Sequence, residues 1–188
     1  MQQLNLTLPI KGLSQLKQLK GKTLTDIYAS VPNDNDRLFY APFILKLDDE
    51  TFFTISADEI GTEYYGTHEE FAYLCCKSLE EPPQIKSLFH KKIQPLRVQS
   101  IEIITDEITE TEPESGDFSF RVDAAIILHD NHGFMTFSLP ADELWFATCT
   151  RSENKTIDQL RPVSTIKESL SEGLDGSNVQ VSRTSRFL

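Results

Sequence analysis

The sequence predicts an α+β fold in which two tandem copies of a small antiparallel β-module, each a strand, a loop and a hairpin, pack as one duplicated unit with short flanking helices. Three observations predict it. Apolar residues alternate with period two in two separate regions. The two regions carry similar residue types in the same order. Around them lie apolar positions at helical spacing with start and stop signals.

The shared order is clearest where Phe53-Thr54-Ile55-Ser56-Ala57-Asp58-Glu59-Ile60 stands 84 residues before Phe137-Ser138-Leu139-Pro140-Ala141-Asp142-Glu143-Leu144. Upstream, Ala41, Phe43, Leu45, Leu47 and Asp49 match Val122, Ala124, Ile126, Leu128 and Asp130, and Leu24 and Ile27 match Val98 and Ile101. The chain then divides into an N-terminal segment with a short helix (1–19), a first β-module (20–66), connecting helices (67–93), a second β-module (94–150), and a C-terminal segment with a short helix and a mobile tail (151–188).

In chain order, Leu13 to Leu19 predicts a short helix stopped near Gly21. Phe43 to Leu47 is a period-two strand, and Asp48-Asp49-Glu50 turns it into Phe52-Phe53-Thr54-Ile55. Thr67-His68-Glu69-Glu70 has capping-box spacing, after which Phe71, Leu74, Cys75 and Leu79 form one face of a helix ended by Pro82-Pro83. A further helix is expected over 85–92. Val122 to Leu128 is the second strand, His129-Asp130-Asn131-His132-Gly133 its turn, and Phe134 to Phe137 its return. Beyond Arg151 hydrophobic density falls, leaving a short helix around Ile166 to Leu170 and a mobile tail.

Composition narrows the function. With 188 residues and 39% hydrophobic content the chain can bury a sizeable core, and its apolar runs are too short for a membrane-spanning helix. The opening Met1-Gln2-Gln3-Leu4 lacks the basic and apolar regions of a secretory signal. Cys75, Cys76 and Cys149 make a disulfide framework improbable, so a cytoplasmic location is expected. A net charge of −11 disfavours nucleic acid, whose phosphates need clustered Lys and Arg, and is compatible with a basic protein partner or with solubility alone. The phosphate loop, the dinucleotide glycine fingerprint, the nucleophile elbow and paired metal-finger cysteines are all missing, so no cofactor is expected.

Five groups of residues are candidates for chemistry or binding. His129, Asp130 and His132 are the densest potential metal ligands, but a metal centre needs three or four converging donors and a hairpin turn explains the same residues. Asp58-Glu59 and Asp142-Glu143 are adjacent acids that an extended chain points to opposite faces, so neither pair clasps a substrate. Cys75 and Cys76 read as structural thiols. The stretch from Asp106 to Asp117 has six acids, among them Glu110, Glu112, Glu114 and Asp117, without a basic residue, and reads as an exposed loop. Close behind each Ala-Asp-Glu comes an aromatic pair, Tyr64-Tyr65 and Trp145-Phe146.

Acids beside Tyr and Trp are what a protein-binding surface uses for steering and anchoring. The expected function is therefore a non-catalytic acidic module, of the immunity or antitoxin type, that blocks a basic toxin or nuclease. Glu110, Glu112, Glu114, Asp117, Tyr64, Tyr65 and Trp145 would form its partner-binding site. The alternatives are a metal-assisted hydrolase using His129, Asp130 and His132, and a structural subunit without activity.

Overall fold

Alternating side chains dominate the folded chain. The computed structural model describes residues 2–29, 31–32, 38–39, 42–112, 116–141, 147–154, 157–171 and 178–188. Among them are thirteen strands: β1 (Gln2–Leu6), β2 (Thr23–Ala29), β3 (Val31–Pro32), β4 (Leu38–Phe39), β5 (Phe43–Leu47), β6 (Phe52–Tyr64), β7 (Thr67–Leu79), β8 (Phe89–Arg97), β9 (Ser100–Glu112), β10 (Gly116–Asp130), β11 (Gly133–Ser138), β12 (Thr148–Ser152) and β13 (Asn178–Phe187). The helices are α1 (Ile10–Lys17), α2 (Ile157–Leu160) and α3 (Val163–Ser171).

The strands form two sheets. One runs β7-β6-β5-β2-β8; the other runs β13-β9-β10-β11-β12-β4-β3, with β1 added in parallel to β10. The sheets face each other across a common core. Phe43 meets Phe137 with ring centroids 5.5 Å apart, and Phe71 meets Phe120 at 4.7 Å. On β10, Phe118, Phe120, Val122, Ala124, Ile126 and Leu128 face this core, while Ala125 and Ile127 pack on the opposite face with Ile104 and Ile157. The unbroken apolar run from Ala124 to Leu128 reflects a strand buried on both sides.

Two buried carboxylates tie the C-terminal elements to this frame. The register of β10 against β9 shifts between Asp123 and Ala125, where pairing with β1 gives way to pairing with β11. There the Asp123 carboxylate accepts the Leu8 N–H at 2.9 Å, the Thr105 hydroxyl at 2.7 Å and two Arg186 bonds at 3.0 and 2.7 Å. The Asp106 carboxylate accepts Arg161 at 2.9 Å and Arg183 at 2.7 and 3.0 Å. Each acid is fully buried, so its desolvation must be offset by these charged donors.

The expected α+β balance shifts toward strand: the structure is 63% strand and 13% helix, a mainly antiparallel β fold with few flanking helices. The two-copy organisation is corrected. The larger sheet takes β1, β3 and β4 from the first half of the chain, across the expected module boundaries. Ala57-Asp58-Glu59 lies within the 13-residue β6, whereas β11 ends at Ser138, before Ala141. Asp142 and Glu143 lie outside the described residues.

The connecting helices are strands. Helical spacing selects Phe71, Leu74 and Cys75, but period two selects Ala72, Leu74 and Cys76, and all of 67–79 is paired with β6. Cys75, expected on the apolar face, is thereby turned away from the core and Cys76 turned in. The helix expected over 85–92 is replaced by β8, which accommodates Pro95 because it is an edge strand. The expected mobile tail contains β13, held by Arg183 and Arg186 on the buried acids of the larger sheet rather than by hydrophobic density.

Candidate functional site

The turn between β6 and β7 is two residues long, because Tyr64 pairs with Thr67. Both central residues have positive φ, Tyr65 at 46° and Gly66 at 81°, the conformation of a type I′ hairpin. Such a turn follows the twist of its strands and projects two tyrosines from the hairpin end. The Tyr64 ring packs against Phe71, Phe118 and Phe120, with centroids 5.6, 5.0 and 5.8 Å away. Its hydroxyl donates to the Glu110 carboxylate, and the Tyr65 hydroxyl donates to the Gly116 carbonyl at 3.2 Å. These contacts seat the end of the β6–β7 hairpin on the β9–β10 hairpin.

The joined ends share one electrostatic property. Residues 51–76 contain five acids and no Lys or Arg, and residues 98–120 contain seven acids and no Lys or Arg. Asp58, Glu59, Glu63, Glu69, Glu70, Glu107 and Asp117 are exposed. Glu107 is answered by Arg121 at 3.4 Å, and Glu63 stands 4.0 Å from His68. Most lysines lie elsewhere, on α1, the segment after it and β8. Like charges crowded on one end create a negative field that reaches roughly 10 Å into 0.1 M salt.

The structure brings Tyr64, Tyr65, Glu110 and Asp117 into one region, but with different roles. Glu110 is 0% exposed, so it is a tie between hairpins and not a surface charge. The exposed loop expected between Asp106 and Asp117 is corrected in the same way: its described residues are paired strand, with Asp106 and Glu110 turned inward. Tyr64 and Tyr65 are half-buried, and Asp117 is exposed opposite Thr111. Glu112 ends β9, its side chain outside the described residues, as are Glu114 and Trp145. Glu69 and Glu70, expected to cap a helix, and Glu63 are instead exposed acids of this region, and the absence of Lys and Arg from 51–76 is the signal in the sequence that marks them.

Burial and the Glu110 contact raise the Tyr64 hydroxyl above the usual tyrosine value, so it stays protonated and donating. Burial likewise pushes the Cys76 thiol up to about 12, and it raises Cys149 and Cys75. All three are free thiols, and Cys76 Sγ lies 3.3 Å from the Gly12 carbonyl it donates to. Thiols held protonated make poor nucleophiles.

His129, Asp130 and His132 do not converge. His129 Nε2 lies 3.0 Å from the Glu102 carboxylate and its ring packs against Phe134 and Phe187. Asp130 accepts the His132 N–H at 2.7 Å and Arg151 at 3.4 Å. Among the described residues no three His, Cys, Asp or Glu side chains are grouped to hold a metal ion. No helix among them is long and apolar enough to cross a membrane. No protein-family model, curated protein or solved structure matches the chain.

Proposed function

We propose that this chain is a non-catalytic, acidic protein-binding module of the immunity or antitoxin type, recognising a basic protein through the joined ends of its β6–β7 and β9–β10 hairpins. The observation that carries this reading is the seating of Tyr64 and Tyr65 on Glu110 and Gly116, which merges two cation-free stretches into one acidic surface. The clasp fixes the spacing of Glu63, Glu69, Glu70 and Asp117 before any partner arrives, so little ordering entropy opposes binding. Ile60, 42% exposed on β6, adds an apolar contact beside the acids. An inhibitor of a basic enzyme needs charge complementarity and a rigid scaffold, and needs no catalytic group of its own.

The test is capture from the cytosol of the source cell, run in parallel with the native chain and with a Glu63→Gln, Glu69→Gln, Glu70→Gln, Asp117→Asn variant. The expected result is a stoichiometric basic protein retained by the native chain and lost from the variant. Equal retention of the same proteins by both chains overturns the reading.

A further inference from the structure

Between the two sheets, beside α3, lies a cavity of about 240 Å³. Its walls come from distant parts of the sequence: Leu6 on β1, Phe71 and Ala72 on β7, Phe120 and Val122 on β10, and Ile166 on α3. These walls are apolar, and among the described residues that line the cavity Arg161 is the one that carries a charge. The mouth lies along α3, where Ser169 is exposed and Leu170 half-buried.

The charge balance behind that wall is uneven. Asp106 is fully buried and serves both Arg161 and Arg183. The other acid on Arg183 is Asp158, 2.8 Å away, whose side chain is 86% exposed and therefore screened by water. Among the described residues, the partners of Arg161 besides Asp106 are neutral, the carbonyls of Leu139 at 3.2 Å and of Pro140. Two guanidiniums thus face one interior carboxylate at the end of an apolar chamber. Away from this end, Glu110 stands two residues along β9 from the cavity residue Ile108 and is engaged by Tyr64, so negative charge is unwelcome there.

We propose that this cavity binds a small amphipathic carboxylate, its apolar body between the sheets and its anionic head against Arg161. The apolar walls supply affinity without direction, and the guanidinium selects for charge and sets the orientation. A cavity of 150 Å³ in another protein accepts benzene, so a chamber of this size suits a body of about six to eight carbons. The cavity shares Phe71 and Phe120 with the seat of Tyr64, but its proposed ligand does not depend on the role of the acidic hairpin ends.

The experiment uses octanoate and 1-octanol, two probes of matched length that differ in charge, titrated into the full chain with isotope-labelled methyl groups. Octanoate is expected to give saturable one-to-one shifts at Leu6, Val122, Ile166 and Leu170, and octanol to bind at least tenfold more weakly. Two substitutions fill the chamber: Ala72→Phe from the sheet and Leu170→Trp from the half-exposed helix, the second being tolerable should the first impair folding. Each folded variant is expected to lose octanoate binding at least tenfold. Absence of saturable shifts at those methyls overturns the proposal, as does equal affinity for octanol or undiminished octanoate binding in a folded, filled variant.

Discussion

The Tyr64 hydroxyl donates to the buried carboxylate of Glu110 and thereby closes the end of one sheet onto the other. Hydrogen bonds to a charged partner contribute about 1.5–3 kcal/mol, more than a neutral pair. Tyr64→Phe is therefore expected to lower stability by about that amount, measured by urea denaturation. Tyr65→Phe, which loses a bond to a neutral carbonyl, should cost about 0.5–1.5 kcal/mol. A reversed order would show that the Glu110 contact is not the stronger tie.

The same pair predicts a dependence on alkaline pH. The Tyr64 pKa is raised in the folded chain above the unfolded value of about 10, first by burial and then by the Glu110 contact. A raised folded pKa contributes stability that is fully present below the unfolded value and is lost as pH rises above it. Denaturation midpoints measured from pH 8 to beyond pH 10 should fall more steeply for the native chain than for Tyr64→Phe. Tyrosinate absorbance should show Tyr64 among the last phenols to ionise.

Asp106 is the centre of a buried charge cluster, and Asp106→Asn leaves Arg161 and Arg183 without their shared interior carboxylate, Arg183 keeping only the exposed Asp158. Breaking a buried pair in this way costs about 3–5 kcal/mol. Replacing Asp106, Arg161 and Arg183 together by Leu, Met and Met should cost much less, because no charge is stranded. Chemical denaturation of the two variants checks the order.

Two glycines differ in what surrounds them. At Gly133, with φ of 150°, an added Cβ would lie 2.3 Å from the Ser152 carbonyl oxygen, so Gly133→Ala combines backbone strain with a collision and should cost about 1–3 kcal/mol or more. At Gly66 the φ is 81° but the space is open, so Gly66→Ala carries the backbone penalty alone, about 1 kcal/mol. Thermal melts should rank Gly133→Ala as the more damaging.

For the proposed basic partner, replacing Glu63, Glu69 and Glu70 by Gln should slow association and flatten its dependence on salt, with little change in dissociation, because these acids are exposed and steer encounter. Glu110→Gln should act differently. Its carboxylate is buried, so the change should appear first in stability. Stopped-flow kinetics over a range of ionic strength separates the two effects.

Local pattern was readable where it was unambiguous. Phe43, Leu45 and Leu47 mark one buried face of a strand, with Ile44 buried on the other, and the turn at Asp48 to Glu50 and the helix ending before Gly21 follow from residue type. The stretch 67–79 was not readable, because Phe71, Leu74 and Cys75 satisfy a helical stripe while Ala72, Leu74 and Cys76 satisfy a strand. Its partner β6 lies just across a two-residue turn, but the pairing runs from Tyr64–Thr67 out to Phe52–Leu79, so most of the ladder joins residues far beyond one helical turn. At the candidate site, acidity and the tyrosine pair were visible, but not that Tyr64 reaches Glu110, 46 residues away.

By itself the sequence determined the acidic charge, the absence of Lys and Arg from two stretches, and the strands whose apolar residues alternate. These are properties of composition and of neighbours along the chain. Only the tertiary structure decided that Asp106, Glu110 and Asp123 are interior while Glu63, Glu69 and Glu70 are exposed, and that the C-terminal residues 178–187 close a sheet. Burial of a charge depends on which distant donor meets it. Here those donors are Arg161, Arg183, Arg186 and Tyr64, and pairing between strands far apart in the chain brings them into place.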